Sequence, residues 1–341
     1  MKVLVTGSDG YIGTVLCPYL MDRGFEVVGM DTGFHRVGWL YNGVRKMPAV
    51  ITKDTRNAVE SDLVGFDAVV HLADLSNDPV GHLNPKLTFD INHKGTMHLA
   101  GLAKKAGVKR FVYASSCSVY GASTGEPTKE TDPTNPLTPY AECKLLCEQD
   151  FHKLADSKFS PTYLRNSTAY GASPRQRFDL VVNNLSGLAW TTKQIKMDSD
   201  GTPWRPLVHI LDIAQAAACV LEAPVEKVCD QAFNVGSSEQ NYQVKDIAEI
   251  VAKTFVGCSL VFGTKGGDKR DYRVNFDKIH STLPNFKCQF NVEKGVQQLK
   301  KVFEAVAMTP ELFQSPSHTR LKQIQHLLGT KQIDADFYWL Q

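Results

Sequence analysis

Short apolar runs alternate with helical periodicities over the first half of the chain. Lys2-Val-Leu-Val-Thr6 is β-branched and apolar, the pattern of a buried strand. Thr14, Leu16, Tyr19 and Leu20 then repeat at helical spacing up to Arg23, where Gly24 supplies a stop. Further strands are predicted at Glu26–Met30, Ala49–Thr52, Asp67–Ala73, Arg110–Ala114 and Pro161–Arg165, with helices over Asn84–Gly107 and from Tyr140 to about Ala155. Strands that alternate with helices in this way form a parallel, doubly wound sheet, so the fold class is α/β.

Beyond residue 165 the alternation weakens. Arg175–Trp190 reads as a helix, Gln194–Met197 as a short strand, and Val244–Phe255 as an amphipathic helix. The stretch 207–236 contains Leu207-Val-His-Ile, a helix over Ile213–Leu221 and the short strand Ala232–Gly236. The expected division is a sheet domain of residues 1–165 with 207–236 returning to it. A smaller lobe is built from 166–206 and 237–341. Leu321, Ile324, Leu327 and Leu328 recur at helical spacing near the end and predict a helix packed on the outside.

The first predicted strand runs straight into Gly7-Ser-Asp-Gly10-Tyr-Ile-Gly13, and the second ends in Asp31. Glycines at a strand-to-helix turn let bare backbone approach a pyrophosphate, and the helix N-terminus adds N–H donors. Asp31 lies 18 residues after Gly13, where a carboxylate accepts adenosine ribose hydroxyls. The pattern therefore predicts dinucleotide binding. It favours NAD over NADP, because Asp31 would repel a 2′-phosphate; Arg36 lies close enough in sequence to oppose that choice. Asp54, just after the third strand, either accepts from the adenine amino group or caps a helix. Ligands of doubly wound sheets sit beyond the carboxyl ends of the strands. By that rule Gly7–Gly13, Asp31, Asp54, Ala73–Asp78 and Ser115–Ser118 converge on one edge.

Tyr140 and Lys144 project from one helical face. A phenol titrates near 10 and is a poor base at neutral pH. An ammonium one turn away lowers that value, and an oxidised nicotinamide would lower it further. Ser116, at the end of the fifth strand, can bond the same substrate oxygen. Together these groups suit removal of a proton from an alcohol as a hydride leaves its carbon.

Composition narrows the partners. The 341 residues are 43% hydrophobic and 22% charged, with a formal charge of +2, so no electrostatic case exists for nucleic acid. No apolar run reaches the ~18 residues of a membrane span. The first residues enter a strand without a signal-peptide pattern, so a cytoplasmic location is expected. The eight cysteines contain no C-x-x-C and read as small buried hydrophobes. Cys143 and Cys147, one turn apart, make at most half a metal site, and no metal is expected.

Thr6-Gly7-x-x-Gly10-x-x-Gly13, Ser115-Ser116-x-x-Val119-Tyr120-Gly121 and Tyr140-x-x-x-Lys144 resemble the extended short-chain dehydrogenases/reductases. Within them the chain is similar to the NAD-dependent epimerase/dehydratase family that acts on nucleotide sugars. The resemblance implies a Rossmann-type sheet with a smaller substrate-binding lobe. Ser116, Tyr140 and Lys144 would be catalytic, with Lys144 also on the cofactor ribose. The implied cofactor contacts are Gly7, Gly10, Tyr11, Ile12, Gly13, Asp31, Asp54, Thr55, Leu72, Ala73, Asn92, Ser115, Tyr140 and Lys144. Ser116, Ser118, Thr168, Asn183, Arg205 and Arg270 would hold the substrate, the two arginines gripping its diphosphate. Arg165 would support the loop after its strand.

Departures from the family pattern sharpen this reading. Family dehydratases follow the catalytic hydroxyl with Asp-Glu; here Cys117 and Ser118 stand there, which disfavours 4,6-dehydration. The usual Leu-Ala-Ala is Leu72-Ala73-Asp74, and Thr168 replaces a common asparagine. The expected activity is epimerisation of a nucleotide-diphosphate sugar through a transient keto sugar, with C4 the expected centre. A reductase or dehydrogenase of a nucleotide keto sugar is the first alternative. A 3,5-epimerase using Cys117 and a non-catalytic NAD-binding scaffold stand behind it. A homodimer is expected through helices near 95–106 and 141–155, with Met97, Leu102, Leu145 and Phe151 as candidate apolar contacts.

Overall fold

The computed structural model describes residues 1–42, 46–76, 78–122, 125–264 and 270–340. Seven of its strands form one parallel sheet: β1 (Lys2–Thr6), β2 (Glu26–Asp31), β3 (Val50–Thr52), β4 (Ala68–His71), β5 (Arg110–Ser116), β6 (Ser160–Asn166) and β10 (Gln231–Val235). The order is β10-β6-β5-β4-β1-β2-β3. The chain winds outward from β1 to β3 and then resumes at β4 on the other side of β1. That reversal leaves a crevice beyond the carboxyl ends of β1 and β4. The strands are apolar throughout because both faces are covered. On one face α1 (Gly13–Asp22) packs against α7 (Ile210–Glu222), with Leu16, Leu20, Ile213 and Ala217 buried between them and the sheet.

On the other face the expected helix over 84–107 is divided. A short α2 (Asp78–Leu83) precedes α3 (Pro85–Thr88), which Asn84 caps through Leu87 N. A π-helical turn, Phe89–Gly95, leads into α4 (Thr96–Lys105). The wide turn carries Asn92 into the interior, where its amide accepts from Leu75 N (2.7 Å) and donates to Leu75 O (3.1 Å). Beside α4 lies α5 (Pro139–Leu154). Phe151, expected at a dimer surface, is fully buried against its own sheet, its ring centroid 5.0 Å from that of Phe111. Met97 and Leu102 pack on the same core, and Leu145 on the core of the opposite face.

The second lobe has its own core. A three-stranded sheet sets β9 (Trp204–His209) between β7 (Thr168–Tyr170) and β11 (Asn241–Gln243), and β8 (Gln194–Lys196) pairs with β12 (Ser259–Val261). Thus β9 does not return to the large sheet: its ladders run to β7 and β11, and only α7 and β10 rejoin the first lobe. Helices α6 (Val181–Thr192), α9 (Val244–Thr254) and α11 (Val292–Ala305) enclose Leu185, Leu207, Ile247, Val296 and Phe303. The short helices α8 (Val225–Val228), α10 (Asp277–Thr282) and α12 (Pro310–Gln314) lie between larger elements.

The expected helix over 175–190 begins only at Val181. Upstream, Ser173 Oγ accepts from Arg175 N and Gln176 Oε1 from Ser173 N, side-chain turns that compete with helix formation. The last helix, α13 (Arg320–Gly329), is not merely external. Ile324 and Leu327 are buried with Phe34, Leu75 and Val80 above the β2–β4 edge.

Three imidazoles are buried neutral. His71 sits between Thr6 Oγ1 (2.7 Å) and Thr96 Oγ1 (2.8 Å), and His209 stacks on Phe290 at 3.8 Å. Burial depresses His71 to about 3 and both His209 and His318 to about 4, with Lys144 adding at His71 and Arg175 at His318. The unfolded chain takes up these protons near pH 6.5 and the folded chain does not. Stability is therefore fully present above that pH and falls as pH drops towards 4, by up to about 1.4 kcal/mol per pH unit for each imidazole. Urea midpoints measured from pH 8 to pH 4 should show this decline; a flat profile between pH 7 and pH 5 would contradict it.

Candidate active site

The crevice edge is built from the glycine turn upward. Gly7 adopts φ +71°, a left-handed conformation that favours glycine. A Cβ on Gly13 would stand 2.2 Å from the Gly7 carbonyl oxygen, so only hydrogen fits as α1 begins. Gly7, Gly10, Tyr11, Ile12 and Gly13 line one wall of a cavity. Asp31, Asp54 and Thr55 line it from the ends of β2 and β3, and Leu72 and Ala73 from the end of β4. The Tyr11 hydroxyl donates to Gly171 O (2.8 Å) and accepts from Asn183 Nδ2 (3.0 Å), tying the turn to the second lobe.

Asp31 accepts from Gly33 N (2.8 Å) and Asp9 N (3.1 Å), and burial raises it above the usual carboxylate range. Arg36 is held elsewhere: its Nε donates to Asp9 Oδ2 (2.8 Å) and its Nη2 to Thr52 Oγ1 (3.1 Å). Glycines that admit backbone contact, a helix starting there and a buried acid at the second strand end all fit a dinucleotide.

Tyr140 lies in the first turn of α5, which Thr138 caps through Ala141 N (3.2 Å). Lys144 follows one turn later, its Nζ 5.5 Å from the Tyr140 ring centroid. The ammonium does not dominate the phenol as its spacing suggests. It forms a buried ion pair with Asp74 and donates to Ala114 O. Burial raises Tyr140 above its ordinary value; Lys144 and the Ser116 hydroxyl oppose that, while Asp74 and Asp78 reinforce it. For Lys144, burial acts downward but Asp74 outweighs it, and the ammonium stays protonated. Ser116 Oγ also accepts from Ser118 N (3.1 Å), capping the turn Cys117–Tyr120.

Several expected contacts brace the edge through their side chains. The Asn92 amide is engaged by Leu75 on both sides. Asn183 accepts from Gly171 N and donates to Tyr11 and Arg177 O, which uses up its amide. The Ser115 hydroxyl donates to Glu148, which also grips Arg165 through Nε and Nη2. Asp54 caps the turn Thr55–Asn57 and pairs with Arg56, so the capping alternative is realised. Arg165 props the edge through Tyr120 and Glu130 O.

Arg205 and Arg270 do not line the dinucleotide cavity. Arg205 Nη1 donates to the Trp204 and Arg270 carbonyls. Arg270 Nη1 meets Asp78 Oδ2 (2.8 Å), whose other oxygen accepts from Thr138 Oγ1 (2.6 Å). That chain links a second-lobe loop to the cap of the Tyr140 helix. Ser118 Oγ and Asn166 Oδ1 are buried without partners among the described residues. Thr168 opens β7 opposite Leu207.

Cys117 is fully buried, its thiol donates to Arg165 O (3.1 Å), and burial pushes it up to about 12. A protonated thiol engaged in this way disfavours a 3,5-epimerase that relies on Cys117. Cys143 and Cys147 bond the Thr88 and Asn92 carbonyls.

Other cavity residues are invisible to motif spacing. Asp74 stands out only as a departure from the family pattern, and its role as the partner of Lys144 is tertiary. Arg177 and Arg320 also line the cavity, the latter from α13. No local signal marks Arg320, because it meets the glycine turn across most of the chain's length.

A model of the NAD dependent epimerase/dehydratase family matches residues 3–236. The chain belongs to that family. It is 29% identical over 283 residues to a UDP-glucose 4-epimerase of Bacillus subtilis, covering 74% of this chain and 82% of that protein. It is 26% identical over 311 residues to a UDP-glucuronate 4-epimerase of Thermodesulfobacterium geofontis, covering 86% and 94%. The solved structure of MoeE5 with UDP-glucose and NAD superposes with a TM-score of 0.78 at 26% identity, over 90% of this chain and 100% of that one. The dTDP-glucose 4,6-dehydratase DesIV of Streptomyces venezuelae shares the fold, with a TM-score of 0.80 at 20% identity, over 93% of this chain and 100% of that one.

The family's cofactor is NAD, and the cavity fits it. With Asp31 lining the cavity at the end of β2 and Arg36 bound to Asp9, NAD should raise the melting temperature more than NADP at equal concentration. Equal shifts in a thermal-shift titration would contradict that preference.

Proposed function

We propose that this protein is a NAD-dependent epimerase of a UDP-sugar, acting at C4 through a transient keto sugar. The observation that carries the reading is Tyr140 one helical turn from Lys144, whose partner Asp74 lines a cavity with a glycine cradle. The names of the relatives support the uridine base and the C4 centre.

Tyr140 takes the proton of the C4 hydroxyl, and Ser116 bonds the same oxygen and holds it in line. Lys144, kept cationic by Asp74, steadies the phenolate as it forms. NAD, when bound, would supply the hydride acceptor and donor for the oxidation and the return reduction. Ser118 and Thr168 contribute to sugar binding; the unpartnered Ser118 hydroxyl supports that role. Arg205 and Arg270 hold the diphosphate. Arg205, on β9, bonds the Arg270 carbonyl, and Arg270 reaches the cap of α5 through Asp78, which supports a link between substrate binding and the Tyr140 helix. The reading includes a cytoplasmic location, supported by eight cysteines that are all unpaired. No helix among the described residues is long and apolar enough to cross a membrane.

The test is product formation from a panel of UDP-sugars by protein carrying NAD, with no reductant added. Product should form without stoichiometric NADH, and Tyr140→Phe should lower turnover by about 10² to 10⁴ with little change in substrate affinity. Product that appears only as NADH or NADPH is consumed one for one would replace this reading with a reductase.

We extend the reading to a homodimer that pairs α4 and α5 with their twins. The family resemblance supports this, although Phe151 belongs to the interior. Light scattering at micromolar concentration should give twice the chain mass; a monomer mass would remove the dimer from the proposal.

A further inference from the structure

Arg177 and Arg320 line the cavity with few counter-charges, and Arg175 stands behind His35, another lining residue. Each is at least nine-tenths buried: Arg175 is 1%, Arg177 7% and Arg320 8% exposed. Asp179 pairs with Arg177 through two hydrogen bonds (2.9 and 3.1 Å) and also accepts from Arg320 N (3.4 Å). Asp31 faces the amides of Gly33 and Asp9. Arg175 donates from Nη2 to His35 (3.1 Å), while its Nε and Nη1 have no partner. No hydrogen bond or ion pair engages the Arg320 guanidinium among the described residues; burial together with Arg177 and Arg175 drives it well below the ordinary arginine range, and the nearby Asp179 and Asp31 carboxylates offset this only in part.

Buried cations without a counter-ion are costly, and an anion brought between them relieves that cost. Arg320 Nη2 lies 3.6 Å from where a Cβ on Gly10 would stand, directly over the glycine turn. The start of α1 faces the same point from the other side, and such a turn offers N–H donors to phosphate. The two features frame one position for a diphosphate.

Arg320 is delivered by a segment stitched to both loops that frame the cavity. Gln323 Nε2 donates to Phe34 O (3.0 Å) and Trp339 Nε1 to Thr32 O (2.7 Å), just beyond Asp31. Arg56, beside Asp54, donates to Asp336 O (2.9 Å), and its guanidinium lies 3.9 Å over the Tyr338 ring. Ile324, one turn after Arg320, adds an apolar wall to the cavity. Residues 319–339 lie beyond those that the family model matches.

We propose that residues 319–339 are a built-in cofactor clamp, in which Arg320 pairs with the diphosphate of bound NAD opposite the glycine turn. The segment must part from Thr32, Phe34 and Arg56 before the cofactor leaves. Slow exchange of this kind suits an enzyme whose cofactor is restored in each turnover. The inference rests on the cavity holding NAD, not on the reaction run there.

The test compares equilibrium binding of NAD, ADP-ribose and adenosine by wild type, Arg320→Gln and Arg320→Lys. Arg320→Gln should weaken NAD and ADP-ribose by about 10- to 100-fold, the worth of a charged hydrogen bond, and leave adenosine unchanged. Arg320→Lys should fall between, as a point charge without the planar fork. Unchanged NAD affinity in Arg320→Gln, or an equal loss for adenosine, overturns the proposal. A second arm needs no variant: hydrogen exchange at the amides of Arg320–Gly329 in the wild-type chain should slow when NAD binds. Exchange that NAD leaves unaltered also overturns the clamp.

Discussion

The steric closure between Gly7 and Gly13 is the constraint from which the rest of the crevice follows. The Gly7 carbonyl occupies the space a side chain on Gly13 would need, so β1 can hand the chain to α1 without a gap. That tight join fixes where α1 starts, and α1 in turn sets α7 against the sheet. It also aims bare backbone at the crevice beyond β1 and β4, where a dinucleotide can lie against it. The turn is held from outside as well. Tyr11 reaches Gly171, and Ser173 Oγ donates to Tyr11 O (2.8 Å), so the second lobe is anchored at the cofactor edge.

Around that edge, charge is buried in matched pairs. Lys144 meets Asp74, Arg165 meets Glu148 and Arg177 meets Asp179, each with little exposure. Such pairs contribute little net stability, but removing one partner is expensive because a bare charge is left inside. They therefore act as position markers. Asp74 fixes the ammonium next to Tyr140, and Glu148 fixes both Ser115 and Arg165 beneath the end of β5. The cost of the arrangement falls on Tyr140, whose phenol is pushed up by burial and by nearby carboxylates.

Much of the first lobe was legible in the chain. The strands and α1 stand close to where apolar runs and stop signals put them, because a sheet covered on both faces demands continuous apolar strands. The family match confirms what the glycine turn and Tyr140-x-x-x-Lys144 implied about class and cofactor. Periodicity failed where side chains rewrite the backbone. Ser173 and Gln176 delay α6, and the π turn at Asn92 breaks an apparently continuous helix. It also failed for direction: Phe151 recurs at helical spacing like a surface contact, yet it faces the sheet.

The sequence by itself determined the fold class, the dinucleotide turn, the acid at Asp31 and the Tyr140–Lys144 spacing. These are local patterns, and local geometry is set by neighbours in the chain. Tertiary structure alone decided that Lys144 answers to Asp74, that Arg36 is bound by Asp9, and that Cys117 is sealed beneath the edge. It alone decided that the final helix closes over the cofactor cavity with Arg320 above Gly10. A charge's partner and a thiol's proton depend on what folding brings within a few ångströms and on how much water it removes. Neither quantity is written in spacing along the chain.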